Sequence, residues 1–264
     1  MAWYSRASLM NKLATYHVNV RALTTSLALL LVVPAVLRAQ TVDELIQKNI
    51  AARGGIEKMR AITTLKHTRI VGTPFSNVKV VMFRQRPNLL RIEQGIAGRP
   101  ATARIVTAEG AWDETPQGWT ARSAVAAAEG LDLDADFDGF LVDYQAKGHR
   151  AAYAGLEKIG GRDAHHLKMT LKSGVERHVY LDPETFLERR HTGLYRLPNN
   201  ETVPFIVDFS DWRDVAGVLY PFAMDEHPKA MGQTYAIYVE SIEPNVAIDP
   251  GIFVGASELG IYWA

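Results

Sequence analysis

From about Leu65 to Val254 the chain is a succession of short segments in which apolar and polar residues alternate, broken by Gly, Pro, Asn and Asp. A period of two is the mark of a strand with one face turned to a core. The segments fall at about 64–72, 77–85, 88–94 and 102–109, and after an interruption at 150–158, 163–172, 175–181, 185–193, 201–212, 217–227 and 233–243. Trp112 and Trp119 lie on a hairpin turning at Pro116-Gln117-Gly118. About eleven strands predict a mostly β (α+β) fold, a large unclosed antiparallel β-barrel. Roughly eight strands is the limit at which a barrel interior is filled by its own side chains. A broader sheet needs a plug, a cavity or a ligand, so the chain reads as a container more than a catalyst.

Helices are predicted at two places to lid or plug this sheet. Thr41 followed by Glu44 forms a capping-box pattern; Val42, Leu45, Ile46, Asn49 and Ile50 continue at helical spacing, and Gly54-Gly55 ends the run. Ile56, Met59, Arg60 and Ile62 make a second short helix, and Ala121 to Tyr144 reads as one or two helices with an acidic loop. Strand faces are assignable in places. Leu167, Met169 and Leu171 share one face of their strand, as do Val203, Phe205, Val207 and Phe209 of theirs. Val80 and Met82 oppose Val81 and Phe83, while Tyr235 and Ile237 oppose Ala236 and Tyr238. Strands apolar on both faces predict cover on both.

Residues 1–39 read as a secretory signal peptide. Arg21 precedes the apolar run Ala22 to Leu37, which is shorter than the roughly 20 residues of a membrane span, and Ala39 supplies the small residue for cleavage. Met10 is an alternative start. The leader holds four basic and no acidic residues, so of 29 basic and 29 acidic residues the mature chain keeps 25 and 29. That balance predicts no nucleic-acid partner. The absence of cysteine excludes disulfides, a thiol nucleophile and a lipidated N-terminal Cys. The expectation is one domain over residues 40–264, soluble and periplasmic.

Three phrases carry a resemblance. They are Thr41-Val-Asp-Glu-Leu-Ile-Gln-Lys-Asn-Ile-Ala-Ala-Arg-Gly-Gly-Ile-Glu-Lys-Met, Gly155-Leu-Glu-Lys-Ile-Gly-Gly-Arg-Asp-Ala-His-His-Leu-Lys and Tyr180-Leu-Asp-Pro-Glu-Thr-Phe-Leu. The chain resembles the outer-membrane lipoprotein-sorting proteins, the LolA-like lipid and lipoprotein carriers. The resemblance implies helices lidding a hydrophobic cavity in an unclosed barrel, with lipid or acylated lipoprotein as cargo. It also implies transient membrane contact. No cofactor is implied. An alternative is an envelope protein-interaction or sensor module that uses the same barrel for a protein partner without lipid transport.

Motifs for other chemistry compete with plain structural explanations. Asp134-Ala-Asp-Phe-Asp-Gly139 opens like a calcium loop, but Gln145 stands at the twelfth position where a bidentate Glu belongs; the competing reading is a solvated acidic loop. His165 and His166, adjacent on a strand, point to opposite faces and cannot share a metal. If Leu181 pairs with Phe186, His178 and His191 fall on one face near Glu176, a zinc-like grouping opposed by local arginines. A surface ladder is the other reading. Asp208, Asp211 and Asp214 surround Trp212 at a strand end, where Asp is ordinary, and no serine has a nucleophile-elbow context. The chain is therefore read as not an enzyme and without a metal site. The predicted ligand-binding residues are Val80, Met82, Leu90 and Ile92 on early strands, Leu167, Met169 and Leu171 in the middle, and Phe205, Val207, Phe209, Met224 and Tyr235 on late ones. Filling a core is the alternative role for each. Arg84, Arg91 and Arg104 are placed to meet a polar head at a mouth.

Overall fold

The computed structural model describes residues 41–73, 76–197, 201–228 and 232–254. The predicted leader lies outside them. The first elements are α1 (Val42–Ala52) and α2 (Ile56–Ala61). Thr41 Oγ1 accepts from the Glu44 N–H at 3.2 Å and Glu44 Oε2 from the Thr41 N–H at 3.1 Å, which is the anticipated capping box. α1 ends where Gly54 adopts φ 118° and Gly55 φ 92°. A side chain at Gly54 would collide with the Gly217 carbonyl, so only glycine allows this helix end to sit on the turn beyond.

Thirteen strands are present among the described residues, in one antiparallel sheet. They are β1 (Thr64–Gly72), β2 (Asn77–Gln85), β3 (Leu89–Ile96), β4 (Thr102–Thr107), β5 (Gly110–Thr115), β6 (Gly118–Ala121), β7 (Arg150–Ile159), β8 (Arg162–Thr170), β9 (Glu176–Leu181), β10 (Glu188–Arg196), β11 (Thr202–Val215), β12 (Val218–Pro228) and β13 (Tyr235–Pro244). The two beyond the predicted eleven are the Trp112 and Trp119 hairpin, whose short arms pair as full strands. The order is β6-β5-β4-β3-β2-β1-β13-β12-β11-β10-β9-β8-β7. Every neighbour is a hairpin partner except β1 and β13, which join the first and last strands. The sheet stays open between β6 and β7, and α3 (Ala124–Leu133) with the turns that follow it connects these edges. Irregularities at Thr68/Arg69, Tyr153/Gly155 and Glu188/Arg190 interrupt the ladders where a sheet this broad must bend.

Helices cover the inner face of this sheet. Leu45 and Ile46 of α1, 0% and 2% exposed, join Leu141, Val142, Leu167, Met169, Val179 and Leu181 in the main core. A second cluster sets Val80, Met82, Leu90, Ile92 and Val106 against Ala127, Leu131 and Ala135. Cover on the outer face is only partial, contrary to the two-sided expectation: Tyr238 is 59% exposed. A 3-10 turn, Pro250–Phe253, lies against β3 and β4 on that side, where Arg91 donates to the Ile252 carbonyl.

Candidate ligand-binding site

Pairing register places all twelve predicted ligand-binding residues on the inner face. Val80, Met82, Leu90 and Ile92 lie beneath α3. Leu167, Met169, Leu171 and Met224 belong to the core under α1, with Val207 and Phe209 packed at its margin. Tyr235 opposes Glu226 on β12, and Phe205 lies beside Gly193 on β10. Most of these positions are packed by the protein's own helices. Phe205 and Val207 border open space.

That space consists of two adjoining chambers. The outer one, about 570 Å³, runs along the ends of β9, β10 and β11 and has Val125, Val175, Leu194, Pro204, Phe205 and Ile206 as its apolar wall. The inner one, about 320 Å³, reaches under α3 between Arg69, Asp134, Arg177, His191 and Glu226. Glu129, Leu194, Arg196 and Phe205 border both. Each volume falls in the range of small-molecule pockets, about 300–1,000 Å³. Val125, Leu194 and Tyr195, 54%, 52% and 47% exposed, form an apolar patch beside the opening.

α3 is a light cover. Its sequence, AVAAAEGLDL, buries only Ala126, and Gly130 sits directly over Val106. Alanine has little apolar surface to remove from water, so such a helix gains much less than the roughly 1.5–3 kcal/mol that each buried Leu or Ile adds in α1. Polar ties fasten it instead. Arg196 donates Nε and Nη2 to the Glu129 carboxylate at 2.8 and 2.7 Å, and Asp132 accepts from the Ser173 N–H at 2.7 Å.

The following segment is anchored through its acids, which corrects both readings of Asp134-Ala-Asp-Phe-Asp-Gly139. Asp136 is buried and accepts two 2.7 Å hydrogen bonds from Lys147, while Asp138 receives both terminal nitrogens of Arg86. Asp136 and Asp138, committed to separate cations, leave no common cage for calcium, and of the three aspartates only Asp134 stays exposed as a solvated loop requires. Arg86 also donates to the Met59 and Ile62 carbonyls, so one guanidinium joins α2, β2 and this segment.

The histidine register differs from the expected one. Leu181 pairs with Glu188, not Phe186, and Val179 with His191. The longer turn has Asp182 Oδ1 accepting from the N–H groups of Glu184 and Thr185 at 3.0 Å, and Phe186 at φ 57°. The turn moves the partner by two residues and the irregularity at Glu188/Arg190 by one more, an odd total, so His178 and His191 occupy opposite faces. His178 lies outside, 2.7 Å from His166, which in turn meets Glu157 at 2.6 Å. His165 faces inward against the Tyr153 hydroxyl at 3.0 Å, as the alternation of adjacent residues demands. Among the described residues no group of three or more His, Asp or Glu side chains is arranged to hold a metal ion. Asp208 pairs with Arg190 and Asp211 with Arg213, leaving that acidic cluster structural.

Two of the three predicted head-group arginines point inward. Arg84 and Arg104 share the inner face, but Arg91 lies outside, bonded to Glu93. Arg69, Arg177, His67 and His191 were not anticipated there. The signal for Arg69 is its parity with Leu65 and Val71 on β1, obscured by Ile70 on the opposite parity. Burial, reinforced by Arg69 and Arg84, holds the His67 pKa down to about 3, and burial holds His191 at about 4, so both rings are neutral near pH 7. Burial also lowers Arg177 to about 10 and pushes the Glu226 carboxyl upward against the pull of Arg69.

No family model matches the chain, and no curated protein does. Solved structures do. A LolA superfamily protein from Nitrosomonas europaea is similar with a TM-score of 0.57 and 11% identity, over 82% of this chain and 98% of that one. A domain described as an outer membrane lipoprotein-sorting protein, from Vibrio parahaemolyticus, is similar with a TM-score of 0.54 and 12% identity, over 82% of this chain and 97% of that one. Identities this low speak to fold alone. An open antiparallel sheet with helices over one face, matched across nearly the full length of these proteins, gives this chain a LolA-like fold.

Proposed function

We propose that the protein binds a lipid acyl chain, free or attached to a protein, between the inner face of the sheet and α3, and carries it through the periplasm. One observation supports this reading above the rest: the sheet is too broad to fill itself, and the room it leaves is covered by a helix with little apolar purchase. An acyl chain entering the outer chamber meets Val175, Pro204, Phe205 and Ile206. Displacing α3 would bare Val80, Met82, Leu90 and Ile92 as further apolar surface beside it. Each methylene so buried contributes about 0.8 kcal/mol, so a long tail outweighs the few small side chains of α3. Met82 adapts to an irregular chain because its thioether is unbranched and polarisable. The exposed apolar residues at the mouth give a surface for brief contact with a membrane or donor protein. Among the described residues no helix is long and apolar enough to cross a membrane.

The test is to purify the mature chain from the envelope without detergent and extract it for lipid mass spectrometry, alongside titration with a fluorescent fatty acid. Bound lipid at near-stoichiometric amounts and saturable probe binding are expected. Recovery of a protein partner with no lipid, and no probe binding, would replace the carrier with the protein-interaction reading.

A further inference from the structure

Arginines that border the inner chamber fall into two kinds. Arg104 donates to Asp113 at 2.6 Å, Arg122 to the same carboxylate at 2.8 Å, and Arg196 to Glu129. These are neutralised. Arg69, on the chamber wall, makes no hydrogen bond or ion pair among the described residues; neither does Arg84, which shares the inner face on β2 without lining the chamber, and the Nε of each is buried without an acceptor. His67, between them on the same face, also has a buried, unpartnered Nε2. Among the described residues Arg177 reaches the carbonyls of Glu176 and Leu194 and the face of Phe205, and no carboxylate.

An unpaired guanidinium inside a protein is costly. Desolvating an ion carries a penalty of several kcal/mol, and arginine cannot escape it by losing its proton. The nearest acids give limited relief: Asp134, at the end of α3, and Glu226, on β12, act on Arg69 only through space. Arg69 and Arg177 on the cavity wall, with the unpaired Arg84 nearby on the same face, are complementary to a compact anion, which would accept hydrogen bonds there and supply the missing charge.

We propose that the inner chamber is an anion seat, receiving the carboxylate or phosphate head of a single-chain amphiphile at Arg69, with Arg84 and Arg177 adding positive charge. The tail then lies in the outer chamber, so the ligand enters head first. This rests on the lipid-binding reading and narrows it to acidic amphiphiles. It differs from a rim-bound head, because Arg69 and Arg84 lie on the inner face of β1 and β2, with α3 above them.

The experiment compares ligands with one tail and different heads on the delipidated, unaltered protein: palmitate, hexadecyl phosphate, hexadecanol and hexadecyltrimethylammonium. One or both anionic ligands should bind at least about tenfold more tightly than hexadecanol, as expected for hydrogen bonds to a charged group; which of them wins identifies carboxylate or phosphate. Equal binding of anionic, neutral and cationic heads would overturn the anion seat and leave the acyl-chain reading standing. Binding of none would overturn both. Arg69→Met combined with Arg84→Met should abolish the anionic preference, keep hexadecanol affinity within about twofold, and raise the thermal midpoint, since buried unpaired charge has been removed. A lowered midpoint, or an anionic preference that survives, would show that these arginines serve the fold alone.

Discussion

The two parts of the inner face are covered in opposite ways. Under α1 the sheet presents Leu167, Met169, Val179 and Leu181, all 0% exposed, against Leu45 and Ile46. Under α3 it presents arginines and histidines beside a few apolar residues, against alanines and a glycine, with two chambers adjoining. The first part is closed by apolar burial and holds the fold. The second is closed by directional polar ties over a charged interior, which release with little loss of apolar contact. The proposed carrier role needs both: a scaffold that stays intact while its cover moves.

Core truncation separates the two most sharply. Leu45→Ala should lose about 2–5 kcal/mol, since it leaves a cavity in a fully packed site, whereas Leu131→Ala on α3, only half-buried, should lose about 1 kcal/mol or less; urea unfolding measures both. If the two losses were equal, α3 would be as firmly bound as α1. Gly54→Ala should follow with about 2–3 kcal/mol, combining an unfavourable positive φ with collision against the Gly217 carbonyl. It tests whether α1 is locked onto the β11–β12 turn, where Leu219 also donates to the Arg53 carbonyl.

Acid should weaken the charged part in particular. The His67 pKa, about 3 in the fold against 6.5 in the unfolded chain, means that the unfolded state takes up the proton first. Stability from this group is whole above pH 6.5 and is lost as pH falls towards 3, by up to about 1.4 kcal/mol per pH unit. His67→Gln should flatten the fall in urea midpoint between pH 6.5 and 4; an unchanged slope would place His67 in contact with water. The smallest change in stability is expected of Arg196→Ala, which frees Glu129, because a solvent-facing ion pair contributes little to the fold. Its larger effect should be on exchange, with a fluorescent fatty acid entering and leaving several-fold faster in stopped-flow measurements. Unaltered exchange would mean that α3 is not the moving cover.

Much of this architecture is legible in residue order. Period-two alternation locates β1 and β2 to the residue, because Gly and Asn end them cleanly and their pleat is regular. The Thr41–Glu44 cap and Gly54-Gly55 stop are equally local. Failures arose where geometry depends on distant partners. The β9–β10 turn takes two more residues than the tight turn expected, because Phe186 bends at positive φ and its carbonyl accepts from Asn49 Nδ2 of α1 at 2.9 Å. Nothing in Asp182-Pro-Glu-Thr185 announces that bond. The aspartates after α3 read as a solvated loop in residue order because the cations that hold Asp136 and Asp138, Lys147 and Arg86, lie 11 and 52 residues away.

Residue order alone determined which segments become strands, which residues share each face, and that the sheet is too broad to pack on itself, since side-chain direction along a strand follows from backbone stereochemistry. Only the tertiary structure decided which face the helices cover, where space remains, and which charges there are neutralised. Those outcomes depend on pairs far apart in sequence, Glu129 with Arg196 and Asp138 with Arg86, and on Arg69 having none among the described residues. Coulomb attraction and burial act through space, and a linear pattern does not carry that distance.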